Sequence, residues 1–469
     1  MDRAAVSERG YVTPNDVMGV TDADSIQNAV DLALETGLNK VVIPRYNART
    51  GEMLWCIERP VLLKSGITVV LDQCHMRAAD DVYTNFFRTA NIYTENGLDT
   101  AEEYHDIHII GMGNAVLDGG KANDLSELTQ YKDGHPAVRY NTPILFFNVR
   151  YFTVENLNII DHRYWGLCFS YCKCGRISNV RFDATGDRRN QDGLNLRNGC
   201  NNILIENLYG QTSDDMVALS AIDVPRNDRY NVAVPEWNSD IHHVTIRNIS
   251  GWAIDHPLVA MRNSDGMKLY DILVENVRDT EPVHLCPKSA LHKYALIRIG
   301  NNFYYHVRPS QMGETRDITI RDITARTSER AITVNASLQH SLFENIRGYD
   351  RCGAAVSIEP QWAGEPGVQI DDLTVRDVRL IPCIETRKPP VDRLVVEKTA
   401  VLEFGNQREG DYIRRLRVEN VIAEQVDALA LLSGETEVTF NNVQINGNAE
   451  MINKEVHTNG GYLEIPAHG

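Results

Sequence analysis

The amino-acid sequence predicts an all-β fold, a parallel β-helix whose N-terminal end is closed by an amphipathic helix. Three observations carry that expectation. A short pattern (apolar, any, apolar, any, Asn or Asp, apolar) recurs ten times along the 469 residues. Its apolar positions alternate with period two, which is the periodicity of strands and not of helices. Its closest copies stand 22 or 23 residues apart, the spacing of stacked coils. A propeller blade needs roughly 40 residues, so this spacing argues against a propeller.

The N-terminal stretch lacks the repeat. Asp24 is expected to cap a helix whose apolar face is Ile26, Ala29, Val30, Ala33 and Leu34, with Gly37 stopping it. Val41–Pro44 then reads as a strand. A β-helix has an open apolar end, and an amphipathic helix placed there covers it.

The repeats begin with Phe-Thr-Val-Glu-Asn-Leu around Asn156 and continue at Asn179, Asn207, Asn248, Asn276, Asp322, Asn345, Asp377, Asn420 and Asn442. Larger steps, such as the 41 residues from Asn207 to Asn248, read as one coil carrying an inserted loop. A second short strand follows most copies, as in Trp165–Ser170, Asp192–Asn198, Asp215–Ala221, Pro257–Asn263 and Ala295–Asn301. The expected organisation is an N-terminal extension over residues 1–20 and a single β-helix domain over 21–469. Its catalytic coils fall at about 156–305.

Charge narrows the function. Lys and Arg number 47 against 64 Asp and Glu, for a net −17. Such a surface repels phosphate backbones and anionic lipid heads, so neither nucleic acid nor a membrane is an expected partner. The first 22 residues contain no apolar core of a secretion signal, and nine cysteines are an odd number. Reduced thiols and a cytoplasmic location are the simplest expectation. Cys168, Cys172 and Cys174 lie close together, but their spacing fits no standard zinc pattern. No metal or cofactor is expected, and an oligomer is compatible with the repeat.

The second strands set a register. Leu194 with Leu196, Val217 with Leu219, and Val259 with Met261 should point inward. Asp192 and Asp215 then share a column one coil (23 residues) apart, with Asp214 just ahead. Three carboxylates should therefore converge on an exposed sheet face, beside Asn195, Arg197, Arg262 and Arg298 in neighbouring columns. Aspartate before glycine is common at turns, so Asp192 alone carries little. Carboxylates held together separate their proton affinities, leaving one as a donor and another as a base. That is the equipment of glycosidic-bond hydrolysis. For both Asp214 and Asp215 to face solvent, the chain must bend just before Met216.

These residues carry a family resemblance. Asn190-Gln191-Asp192-Gly193, followed by Ser213-Asp214-Asp215, resembles the Asn-Thr-Asp and Gly-Asp-Asp motifs of glycoside hydrolase family 28. That is the polygalacturonase and rhamnogalacturonase group of inverting enzymes, built as right-handed parallel β-helices. Arg298-Ile299-Gly300 resembles its Arg-Ile-Lys motif, and Asp255-His256-Pro257 stands where its Gly-His-Gly is expected. The resemblance implies Asp214 as general acid, with Asp192 and Asp215 activating water. Asn190, His256 and Arg298 are expected to contact the sugar by this resemblance, and Asn195, Arg197 and Arg262 by their place in the neighbouring columns. Gly300 replaces the lysine that, with arginine, grips a substrate carboxylate in the family. Arg262 projects in the same outward column and is a candidate substitute.

Aromatic platforms for sugar rings are expected at Trp237 and at Tyr304 or Tyr305, which lie in inserted loops. Long insertions at 222–240 and 280–294 would wall off a groove and favour exo action on pectin-type oligosaccharides. Two other readings compete. A uronide lyase or epimerase would need calcium or a Lys, Arg or Tyr base, for which Arg298 and Tyr304 are available. A non-catalytic carbohydrate-binding β-helix would need no cluster of carboxylates.

Overall fold

A regular coil must turn sharply once per repeat, and the recurring asparagine makes that turn. All ten signature residues, from Asn156 (φ 61°) to Asn442 (φ 56°), adopt the left-handed backbone conformation. Asn and Asp tolerate that region better than other non-glycine residues. Their side chains then stack on one another. Asn179 Nδ2 donates to Asn156 Oδ1 at 3.0 Å, and Asn207 Nδ2 donates to Asn179 Oδ1 at 2.9 Å. The same ladder runs from Asn276 to Asn248 at 2.7 Å and from Asn442 to Asn420 at 2.9 Å. The repeat thus reflects a backbone requirement together with a side-chain ladder.

The protein, a computed structural model, is an all-β right-handed parallel β-helix. Residues 3–92, 102–125, 138–222, 234, 236–254, 256–284, 295–300, 308–359, 368–383, 398–405, 410–448 and 450–467 are described. The chain divides into two compact units, Met1–Ser213 with Pro225–Trp237, and Asp214–Val224 with Asn238–Gly469.

In the first unit the helix Asp22–Glu35 lies over the first coil, packing on Lys40–Pro44, Trp55–Ile57 and Val61–Leu63. Thr21, not Asp24, is its N-cap. Thr21 Oγ1 accepts from Asp24 N at 3.1 Å, and Thr21 N donates back to Asp24 Oδ2 at 3.0 Å. Asp24 is therefore the third residue of a reciprocal capping box. Ile26, Ala29, Val30 and Ala33 are fully buried, and Leu32 takes the place expected for Leu34. Parallel ladders follow. Lys40–Pro44 pairs with Ile67–Asp72, which pairs with Tyr104–Met112, then Val149–Ile160, Lys173–Asp183 and Asn201–Thr212. A second ladder runs Val61–Leu63, Phe87–Thr89, Ile144–Phe147, Leu167–Ser170 and Leu194–Arg197.

The second unit repeats this plan. Long strands Ile241–Ala253, Leu269–Asp279, Thr315–Ala325, Leu338–Asp350, Gln369–Pro382 and Tyr412–Ala423 form one parallel ladder. Short strands Val217–Ala221, Val259–Asn263, Ala295–Gly300, Arg330–Asn335, Ala354–Ile358 and Ala400–Phe404 form the other. The last strand, Ile452–Pro466, runs antiparallel to Ala428–Ile445 and covers its edge. Val217, Leu219, Val259, Met261, Ile297 and Ile299 are fully buried, as the register predicts. Among the described residues no helix is long and apolar enough to cross a membrane, and none of the cysteines forms a disulfide.

Replacing Asn179 tests the ladder. Asn179→Ala should lose about 1–2 kcal/mol of stability, because alanine is strained at positive φ and two exposed hydrogen bonds go with the amide. Asn179→Gly should recover part of that loss. Denaturant midpoints of the two variants measure the difference.

Candidate active site

The first unit supplies Asp192. It sits on the turn that enters the strand Leu194–Arg197, where Asn190 has φ 56°. Every neighbour fixes that turn. Gln191 is buried, and its Nε2 donates to the carbonyl of His162 at 2.8 Å. His162 Nε2 lies 3.0 Å from the carbonyl oxygen of Asp192. A carbonyl only accepts, so Nε2 carries the proton. Burial pushes the His162 pKa down to about 4, so the ring is neutral. Gln191 N donates to Ser213 Oγ at 3.2 Å, and Ser213 N returns a bond to Gln191 O at 3.3 Å. Arg188 Nη2 reaches the Gly120 carbonyl at 2.6 Å. Asn195 Nδ2 donates to Asp192 Oδ2 at 3.0 Å, so these two predicted site residues do meet.

Two others are placed differently. Arg197 lies 4.6 Å above the Trp165 ring, which stacks on Tyr164 at 4.6 Å. Trp237 lies parallel to Phe147 with ring centroids 6.1 Å apart, and edge-on to Tyr171 at 5.0 Å. One face of the indole is thus already covered. Tyr304, Tyr305 and Asp255 fall outside the described residues.

The second unit brings Asp214, Asp215, His256, Arg262 and Arg298 together. The predicted bend occurs at Ser213–Asp214, where the Asp214 carboxylate Oδ1 accepts from the Asp215 N–H at 2.8 Å. His256 Nδ1 stands 3.1 Å from Asp214 Oδ1 and 3.9 Å from Asp215 Oδ1. Arg262 Nη2 bonds Asp215 Oδ2, and Arg298 Nη2 is 3.9 Å from Asp215 Oδ1. The register alone predicts an exposed face here, yet the Asp215 side chain is 0% exposed. Arg262 turns back to bind this buried carboxylate, and Arg298 faces its other oxygen without reaching hydrogen-bond distance. Both arginines expected to grip an acidic sugar are directed at Asp215.

The electrostatics follow from this burial. Desolvation raises the Asp214 pKa above the ordinary carboxylate value, with His256 pulling it down and Asp215 pushing it up. A carboxyl that holds its proton more tightly than usual is suited to donate it. Asp214, Asp215 and His256 also offer ligand atoms within 4.8 Å of one another, a group that could hold a metal ion. Arg262 and Arg298 already supply two cations to Asp215, which disfavours a third.

Gly300 has a steric reason. It has φ 90°, and a Cβ there would stand 2.5 Å from the carbonyl carbon of Asn335 and 2.6 Å from Ala336 N. A lysine at this position has no room without moving the next coil. His162 and Arg188 are not among the residues that the sequence singles out, and Gln191 enters there only as a member of its motif. They act through main-chain carbonyls, which leave no pattern of side-chain types to detect.

Ladders of stacked parallel strands define the fold class, a parallel β-helix. Residues 64–227 match the model of glycosyl hydrolases family 28, a segment that includes both aspartate motifs. The resemblance read from those motifs is thereby borne out, and at family level the match is to glycosidases. No curated protein matches the chain. Among solved structures, an exopolygalacturonase from Thermotoga maritima is similar at 15% identity over 97% of this chain and 95% of that one, with a TM-score of 0.53. A mannuronan C-5 epimerase A-module from Azotobacter vinelandii shares 12% identity over 87% and 96%, with a TM-score of 0.52. A tailspike protein of E. coli bacteriophage HK620, in complex with a pentasaccharide, shares 11% identity over 95% and 78%, with a TM-score of 0.58. At such identities the likeness is one of fold.

Proposed function

We propose that this chain is an inverting, exo-acting glycoside hydrolase on pectin-type or related plant oligosaccharides. The observation that carries this reading is the Asp214–Asp215–His256 cluster seated on Arg262 and Arg298. Asp214 protonates the leaving oxygen, and its raised pKa supports that role. His256, at 3.1 Å and 37% exposed, is placed to return a proton to Asp214 from solvent. Water activation falls to Asp192 and Asp215 by resemblance. Arg262 engages an oxygen of Asp215, so Asp192 takes the larger share. Asn195 orients the Asp192 carboxylate. The insertions at 222–240 and 280–294 lie largely outside the described residues, and exo action is proposed from their length in the sequence.

An eliminating or epimerising enzyme would need a basic group free to remove a ring proton. Arg298 instead faces Asp215, which favours hydrolysis. Oligosaccharide substrates screened with product stereochemistry read by NMR provide the test. The expected product has inverted anomeric configuration. Retained configuration, or an unsaturated product, would overturn the reading.

A further inference from the structure

The long-strand ladder of the second unit carries an outward column two residues past each turn asparagine or aspartate. From Arg278 it passes through Thr324, Arg347 and Arg379 to Ile422, with no acid among them. The chain as a whole has a net charge of −17, so a basic column stands out against its surroundings. Arg278, Arg347 and Arg379 are exposed. Among the described residues, none of their three guanidinium groups has a hydrogen bond or an ion pair. Comparable arginines are paired. Just before the same turns, Arg321 bonds Glu275 at 2.6 Å and Arg376 bonds Glu344 at 2.9 Å. In the first unit Arg181, two residues past Asn179, reaches Asp183 at 2.6 Å. Acids close to the column are engaged elsewhere: Asp279 accepts from Ser328 Oγ at 2.6 Å, Asp350 from Arg326 Nη1 at 2.9 Å, and Asp377 from Asn420 Nδ2 at 3.0 Å. Arg347 and Arg379 stand directly opposite on adjacent rungs, and like charges so placed are destabilising. An anion laid along the column would remove that repulsion.

We propose that Arg278, Arg347 and Arg379 form a docking track for a linear polyuronate chain, on a different ladder from the Asp214–Asp215–His256 cluster. The choice of polymer rests on the hydrolase reading, whereas the track itself rests on charge and spacing. One rung is about 4.8 Å, so the three rungs from Arg278 to Arg379 span about 14 Å. A polyuronate carries a carboxylate on every ring, a repeat of the same order as one rung. Arginine meets a carboxylate with two parallel N–H donors, which fixes the chain's direction as well as holding it. Thr324, between Arg278 and Arg347, offers a hydroxyl to the intervening sugar. A polymer held on the track stays beside the enzyme between cleavage events, raising the effective concentration of its ends.

Titration calorimetry with polygalacturonate tests this, using the full chain carrying Asp214→Asn so that no turnover intervenes. Adding Arg278→Gln, Arg347→Gln and Arg379→Gln together should weaken polymer binding about tenfold or more, because each exposed pair contributes modestly and three act at once. The salt dependence of binding should flatten in the same variant. Its thermal melt should be unchanged or slightly higher, since a repulsion has gone. With Asp214 restored, the three substitutions should leave the rate on short oligosaccharides unchanged. Polymer binding indifferent to the three substitutions, or single-stranded DNA bound as tightly as polygalacturonate, would overturn the track. Arginine-dependent polymer binding without hydrolysis by the unmodified chain would support the track and defeat the hydrolase reading, so the two failures are distinguishable.

Discussion

Asp214→Asn should lose about 10²–10⁴-fold in hydrolytic rate, because a poor leaving group departs only when its oxygen is protonated. The amide has nearly the same shape and can still accept from the Asp215 N–H, the 2.8 Å bond that shapes the bend. Folding should therefore be unchanged, and a thermal melt checks it. The pH profile gives a sharper readout. The acid must be protonated, and burial raises the Asp214 pKa above the ordinary carboxylate value. Activity of the unmodified chain should fall on the alkaline side as Asp214 loses its proton. That limb should vanish from whatever activity Asp214→Asn retains. Substrates with a leaving group that needs no protonation, such as a nitrophenolate, should lose much less. Full activity of Asp214→Asn on natural oligosaccharides would remove the general acid from the mechanism.

Arg262→Ala should destabilise the second unit by about 3–5 kcal/mol, the range for breaking a buried pair by removing one partner. Asp215 has no exposed surface, and its Oδ2 accepts from Arg262. Arg298 stands 3.9 Å from the other oxygen, beyond hydrogen-bond distance, and cannot take over without moving. Asp215→Asn combined with Arg262→Ala should recover much of the loss, since the stranded charge is then gone. Denaturant unfolding of the single and double variants gives the coupling directly. Equal stability of Arg262→Ala and the unmodified chain would mean that Asp215 is not held as described.

The fold is legible in the sequence because its demands are local. A left-handed residue once per coil leaves only Asn, Asp or Gly as comfortable choices, so the turn at Asn156 or Asn276 shows in the letters themselves. Asp192 and Asp215 are legible for the same reason, being tied to strands whose apolar alternation sets a column. Burial is not legible. Nothing in the spacing of Arg262 and Asp215 says that the guanidinium turns back on its own sheet instead of outward to a substrate. Nor does composition mark His162, whose partner is a carbonyl that any residue at 192 would present. Thr21 and Asp24 are both good capping types, so the letters do not choose between them, and the reciprocal bonds do.

The stacked register has a kinetic meaning. In the first unit Leu157 lies against Val180, and in the second Ile323 lies against Ile346, partners 23 residues apart in a chain of 469. Closing a loop of that size costs little more than closing one half as long, about 0.6 kcal/mol per doubling. Once a single coil has formed, its neighbour faces the same short closure onto a surface already in place. Order can therefore spread by addition, one rung at a time, without a distant pairing to wait for. Nearest-neighbour coupling of this kind also confines damage, so a weakened rung should fray towards its own end and leave the remaining rungs wound.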